Sequence, residues 1–385
     1  LSVQHTRVAI VGGGLSGLYA AWRLQQLGVH DVVLFEARDL LGGRILGADA
    51  AGRVVAPGSA GAHGTAGTDR FDLGPAWFWP EAQPQLDGVV HALGLRRFEQ
   101  FDEGDMVVER SPQSAPVRTR GWRSAPASVR LLGGMGALVE ALRRPLSATQ
   151  VRTGHAVRRL AVEGGRIELH TTGDAAVWSA EHVLLALPPR LAVHSIAFTP
   201  GLPPALEHSW RATDTWMAPH AKVVALYDTP FWRAQGLSGH ARSACGPMVE
   251  VHDASVPGGH AALFGFIGVP ARVRRGVAED VLRAHCCAQL GRLFGPQALA
   301  PRAVVLKDWA LDAHTATEAD LGGDGQHPLA PAREASEGPW RGRLTGIGSE
   351  WSPQFPGYLA GAVEAAEQGV QAWAASAASA PNVHP

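Results

Sequence analysis

Val8–Val11 and Val32–Phe35 are unbroken apolar runs of strand length, and a helix-like run lies between them, ending at Gly28. The turn into that helix is Gly12-Gly13-Gly14-Leu15-Ser16-Gly17, and the second strand closes on Glu36. Strand, glycine turn, helix, strand and acidic residue within about thirty residues is the order of a dinucleotide-binding βαβ unit. Gly12 permits the tight turn, Gly14 lets backbone amides approach a pyrophosphate, and Gly17 lets the helix pack closely on the sheet. The Glu36 carboxylate is placed to accept both hydroxyls of an adenosine ribose. With 46 glycines in 385 residues the glycine spacing alone is weak, and the flanking strands and Glu36 are what make it specific.

Further along, Gly133–Leu146 reads as a glycine-opened helix, Val151–Val162 as strands, and His182–Leu187 as a buried strand stopped by Pro188-Pro189. Strands are predicted over Ala221–Tyr227, Ala261–Ile267 and Ala303–Trp309. A helix is predicted over Val277–Phe294, stopped by Gly295-Pro296. The stretch from Pro57 to Thr68 is too poor in large apolar residues to be core and reads as a loop. The pattern alternates between two domains and does not finish one before starting the next.

Composition narrows the class. A formal net charge of −1 and a pI near 7.1 give no steering toward nucleic acid or an anionic membrane. Arg272-Val273-Arg274-Arg275 reads as a solvated helix start. No apolar run reaches the roughly 18 residues of a membrane span. The first strand starts near residue 1, so no signal peptide is expected, and the small-residue tail Ala374–Pro381 is not an anchor. Three cysteines give no disulfide framework and suggest a reducing, cytoplasmic setting. The 17 histidines show no ligand spacing such as HExxH, so no metal is expected.

The segment Glu36-Ala37-Arg38…Gly42-Gly43-Arg44 resembles the signature of the flavin-containing amine oxidase superfamily, the monoamine oxidase-like group, with this chain a short bacterial-type member. Other landmarks follow in family order: Asp72-Leu73-Gly74-Pro75-Ala76-Trp77, Gly133-Gly134-Met135, Val157, and Gly346–Glu350 running to Gly357-Tyr358-Leu359. The resemblance implies an α/β fold: a Rossmann-like FAD-binding domain (1–80, 131–201, 337–385) and an α+β substrate domain on a mixed sheet (81–130, 202–336). It implies non-covalent FAD held by Gly12, Gly14, Gly17, Glu36, Ala37, Arg38, Gly43, Arg44, Pro75, Ala76, Trp77, Val157, Gly348, Glu350, Tyr358 and Leu359. An Arg guanidinium supplies a fork of donors matched to phosphate oxygens, so Arg44 suits the pyrophosphate.

Only two of the 34 basic residues are lysines, Lys222 and Lys307. Lys222 opens a predicted strand before Pro230-Phe231-Trp232, where the family places a lysine hydrogen-bonded through water to flavin N5; Lys307 reads as surface. Tyr358 corresponds to one wall of an aromatic cage around the amine, and Trp309 to a family tryptophan near the flavin. Residues 312–320 lack both the cysteine that binds FAD covalently in mitochondrial relatives and a tyrosine for the second wall, which leaves Trp79, Trp351 or His314 to rebuild the cage. Between Glu99 and Arg130 only about thirty residues, with three prolines, replace a longer helical lid, leaving a pocket open to solvent or completed by a partner or second copy. The implied reaction is oxidation of an amine or amino acid by hydride transfer to flavin N5, imine hydrolysis, and reoxidation by O₂ to H₂O₂. Two alternatives stand beside it: a dehydrogenase or desaturase of a carbon substrate, and a non-redox flavoprotein that needs a partner.

Overall fold

The computed structural model describes residues 2–55, 57, 69–146, 151–173, 176–323 and 327–379. The expected loop over 57–68, Pro57 apart, and the tail beyond Ser379 lie outside those residues. Two units interleave along the chain: the first holds residues 1–43, 139–216 and 326–385, the second 44–138 and 217–325.

The first unit is built on an eight-stranded sheet. Val8 to Val11 pair in parallel with Val32 to Phe35 on one side and with His182 to Leu185 on the other. All three segments are buried runs apart from their flanks, as parallel strands covered on both faces require. The hairpin Val157–Glu163 and Arg166–Thr171 extends the sheet, and Leu344–Gly346 pairs with the end of the strand Val177–Leu185. Gly17 lies in the helix Leu15–Gln26, where a Cβ would stand 1.9 Å from the Gly12 carbonyl oxygen; only glycine lets this helix sit so close to the turn that precedes it. The same helix packs against the closing helix Leu359–Ser379, which takes in residues read from sequence as a tail. Glu367 ties the two, accepting from Tyr19 Oη (2.8 Å) and Arg23 Nε (2.8 Å). Replacing Glu367 by Gln is expected to cost about 1 to 2 kcal/mol, read as a lowered denaturant midpoint at constant slope.

The second unit holds a mixed seven-stranded sheet in the order Ala303–Asp308, Ala221–Tyr227, Ala261–Ile267, Met248–Asp253, Leu237–Ser243, Asp105–Glu109, Val117–Arg120. The three strands expected here all form, the last ending one residue early in a short turn at Trp309. Alternation sets the two faces. Val223, Ala225, Tyr227 and Leu263 pack under the helix Glu279–Phe294, while Val224, Leu226 and Phe264 pack with Phe71 and Leu73. Lys222 shares the second face. The short segment between Glu99 and Arg130 forms the last two strands at one end of this sheet, Asp105–Glu109 and the edge strand Val117–Arg120, and no helix among the described residues.

These units draw their boundaries differently from the sequence expectation. Residues 44–80 and 131–138 group with the second unit because Ala48, Phe71 and Leu73 bury themselves against its sheet. Residues 202–216 and 327–336 group with the first, where Trp210 and Ala335 share a core with Trp340 and Trp351.

Candidate active site

In the first unit the glycine turn, Glu36 and the helix start form a polar cradle. Glu36 is buried (4% exposed), and its carboxylate accepts from the backbone N–H of Gly13 (2.7 Å) and of Arg38 (2.9 Å), with the Arg38 guanidinium 3.7 Å away. A carboxylate has about four acceptor sites, so capacity for hydroxyls remains. The helix Leu15–Gln26 has no side-chain cap and no acidic residue in its first turn, leaving its N-terminal amides and positive dipole end for an anion. A Cβ on Gly14 would meet only the Gly43 Cα, at 3.8 Å, and Gly14 bridges Gly42, so the Gly42-Gly43 backbone borders the same turn. An uncapped helix start beside a held carboxylate fits a dinucleotide: anion at the amides, ribose at Glu36. Val157 opens its strand at a bulge opposite Thr171. Gly348 precedes the turn Ser349–Trp351, in which Glu350 is fully buried and accepts from Ser349 Oγ (3.0 Å).

The second unit carries Lys222. Its Nζ is buried (2% exposed), donates to the Gly74 carbonyl (3.0 Å), and lies 4.0 Å from the Phe264 ring centroid. Burial, with a smaller push from Arg130, brings its pKa down to about 7, against the opposing pull of Asp72. Asp72 itself is pushed up by burial; one of its oxygens accepts from Met135 N–H (2.8 Å) and the other is buried without a partner. The electrostatic link of Asp72 to Lys222 joins residues 150 positions apart and is visible only in three dimensions. Pro75 and Ala76 lead into Trp77, whose Nε1 donates to Gln100 (2.8 Å) and whose ring meets His252 edge-on at 4.9 Å. Trp309 is buried, donates to the Leu73 carbonyl (3.1 Å), and has Lys307 Nζ 4.5 Å from its ring centroid. Lys307 is therefore no plain surface lysine: paired with Asp312 (2.9 Å), it braces Trp309.

Tyr358, in the first unit, has a companion that sequence reading missed. His327 stacks on it (4.3 Å between centroids, 16°), and Trp216 stacks on the far side of His327 (3.5 Å, 24°). His327 Nδ1 donates to the Pro356 carbonyl (2.9 Å), which orients the ring. Gly357, at φ 84°, brings its backbone so near Trp216 that a Cβ would lie 2.4 Å from the tryptophan Cβ. Nothing in the spacing of residues 216, 327 and 358 announces this stack. Trp351, expected as a cage wall, is instead core: it is 1% exposed, edge-on to Trp210 at 5.2 Å, with Nε1 on the Ala332 carbonyl. His314 is half-buried beside Asp312, and Trp79 Nε1 donates to Ser124 Oγ (3.4 Å); neither stands with Tyr358 in the first unit.

Known proteins share this architecture. The family profile described as "Flavin containing amine oxidoreductase" matches residues 113–372, more than half of the chain, and an "NAD(P)-binding Rossmann-like domain" profile matches residues 10–93. The chain belongs to the flavin containing amine oxidoreductase family. As a member it is a flavin-dependent amine oxidoreductase with FAD as cofactor, and its fold is a Rossmann-like domain with a second α+β domain on a mixed sheet. It is 27% identical to a putative flavin-containing monoamine oxidase, AofH, of Mycobacterium tuberculosis, over 94% of this chain and 95% of that one. It is also 27% identical to a probable flavin-containing monoamine oxidase A of Dictyostelium discoideum, over 61% of this chain and about half (51%) of that protein's length. A solved structure of a redesigned putrescine oxidase superposes with a TM-score of 0.77 at 21% identity, covering 97% of this chain and all of that one; at this identity the likeness is one of fold. Among the described residues no helix is long and apolar enough to cross a membrane.

Proposed function

We propose that this family member oxidises the C–N bond of an amine, with the first unit as its FAD domain and the second as its substrate domain. The observation that supports this most is Lys222, a buried ammonium on a backbone carbonyl in an aromatic face. Bound non-covalently, FAD would supply a two-electron acceptor, with O₂ as the acceptor that would restore it and give H₂O₂. Glu36 would hold the adenosine ribose, the helix start at Gly14 and the guanidinium of Arg44 would hold the pyrophosphate, and the start of the closing helix at Leu359 would set its positive dipole end toward negative charge on the ring.

The chain's own part is position and protonation. A free alkylamine titrates near that of lysine, about 10.4, and a protonated amine lacks the lone pair that drives hydride loss. Aromatic surfaces desolvate the substrate and favour its neutral form. One Lys222 N–H is committed to Gly74, and the others are available to order a water for the cofactor edge. His327, stacked on Tyr358, would serve as the second aromatic partner for which Trp79, Trp351 or His314 was expected. Replacing His327 by Ala is expected to raise KM several-fold, in keeping with an aromatic pair of about 0.5–1.5 kcal/mol. Free thiols at Cys245, Cys286 and Cys287 suit a reducing compartment, and we place the enzyme in the cytoplasm. The reading is tested by aerobic turnover of an amine panel with H₂O₂ and aldehyde measured together. Equal yields of both are expected; aldehyde without H₂O₂ would replace O₂ by another acceptor, and neither product from any amine would reject amine oxidation.

A further inference from the structure

The strands Leu237–Ser243 and Met248–Asp253 of the second unit run antiparallel, with Ala241 opposite Val251 and Arg242 opposite Glu250. That register sets His240 opposite His252, and Glu250, two residues before His252, shares their face. One ligand-type atom from each converges. His252 Nε2 lies 2.8 Å from Glu250 Oε1, His240 Nε2 lies 3.5 Å from the same oxygen, and the set falls within 4.8 Å. Among the described residues no other three His, Cys, Asp or Glu side chains converge in this way. The set is assembled across two strands, so no spacing along the chain announces it.

Two features separate this cluster from an ordinary polar patch. His240 is nine-tenths buried, and its Nε2, on the Glu250 side of the ring, is buried without a hydrogen-bond partner. An unpaired buried polar atom costs stability unless something fills it. Among the described residues Glu250 forms no ion pair with any Arg or Lys, in a chain that has 34 of them. A cation seated between the three atoms answers both, and the Glu250 side chain, 34% exposed, gives it a way in.

We propose that His240, Glu250 and His252 form a zinc site with three protein ligands and a fourth position open to water. This departs from the sequence expectation of no metal and does not depend on the amine-oxidising reading. Two imidazoles and a carboxylate suit zinc and its late first-row neighbours, whereas calcium and magnesium take sets of oxygens. Ligand atoms around a tetrahedral zinc stand about 3.3 Å apart, and the observed 2.8 and 3.5 Å bracket that spacing. Binding moves the His252 proton from Nε2 to Nδ1. It also opens the stack of the two imidazoles (4.7 Å, 13°), because each lone pair lies in its own ring plane. His252 is held between Phe264 and Trp77, so His240 is the ring that turns, against Trp122, which is 57% exposed. Phe266 stands opposite both Lys222 and Glu250, so the ion reverses the sign of charge on the face that carries Lys222.

The test is isothermal titration of zinc into untagged, chelator-stripped holoenzyme. One zinc per chain is expected, with a Kd of about 1 μM or lower, weakened at least about tenfold in both His240→Ala and Glu250→Gln. X-ray absorption at the zinc edge of wild type is expected to show imidazole nitrogen and oxygen ligands only. No stoichiometric binding by wild type, which needs no variant to fold, would overturn the inference. Binding unchanged in flavin-loaded variants would overturn it too, as would sulfur ligation, which would put the zinc on Cys245, Cys286 or Cys287. The readout is binding and not turnover, so loss of this site leaves amine oxidation standing, and a holoenzyme inert toward amines leaves the site standing.

Discussion

Replacing Lys222 by methionine is expected to leave FAD bound and to slow either flavin reduction by amine or reoxidation by O₂ by about a hundred- to a thousandfold, the scale of losing one well-placed donor at a reacting centre. The variant should fold. Methionine is apolar and flexible, and it removes a buried charge whose desolvation the protein otherwise carries. Of the groups proposed to hold the nucleotide, Glu36 and the amides at Gly14 are in the other unit, and Arg44, in the same unit as Lys222, is left unchanged by the substitution. A pH signature separates this role from a structural one. With Nζ titrating at about 7, the wild-type rate should show a transition near neutral pH that the variant lacks. Stability carries the same mark. The unfolded chain keeps the lysine proton up to about 10.5 and the folded chain releases it near 7, so wild-type stability should rise with pH between these values and the variant's should not. Stopped-flow traces of both half-reactions decide the matter; unchanged rates in both would remove Lys222 from the mechanism.

Replacing Glu36 by alanine is expected to yield protein that loses FAD on gel filtration, with affinity lowered about a hundredfold. Two things fail together. The ribose loses a charged acceptor, worth about 1.5–3 kcal/mol, and the Gly13 and Arg38 amides lose the oxygens that order the turn. Glu36→Gln keeps one carbonyl acceptor and should lie between. Fluorescence titration of released flavin gives the affinities; a variant as tightly loaded as wild type would contradict the assignment of the ribose to this carboxylate.

The parts of this protein legible in its sequence are those that local chemistry dictates. Val8 to Glu36 read correctly as strand, turn, helix and strand because buried parallel strands are continuously apolar and the Gly17 approach admits no side chain. The strand at Lys222 was legible from its nearly unbroken apolar run, and the lysine itself from its rarity among 34 basic residues. What failed to show depends on where distant segments meet. Trp351 follows a landmark turn, yet the turn's order says nothing of which way the indole faces, and it faces the core against Trp210. His327 and Trp216 join Tyr358 from segments separated by long stretches of chain, so no spacing links them. Glu250 and His252 were in principle readable: positions i and i+2 of a strand share a face. Only the neighbouring strand brings His240 to within 3.5 Å of the same carboxylate.

The most direct test of the account is a visible spectrum of the purified holoprotein, taken before and after anaerobic addition of amines. The account predicts flavin bands that bleach with an amine and return on admitting air. Flavin bands that persist through every amine would contradict amine oxidation and move the chain toward a carbon-substrate dehydrogenase or a non-redox role within the same fold.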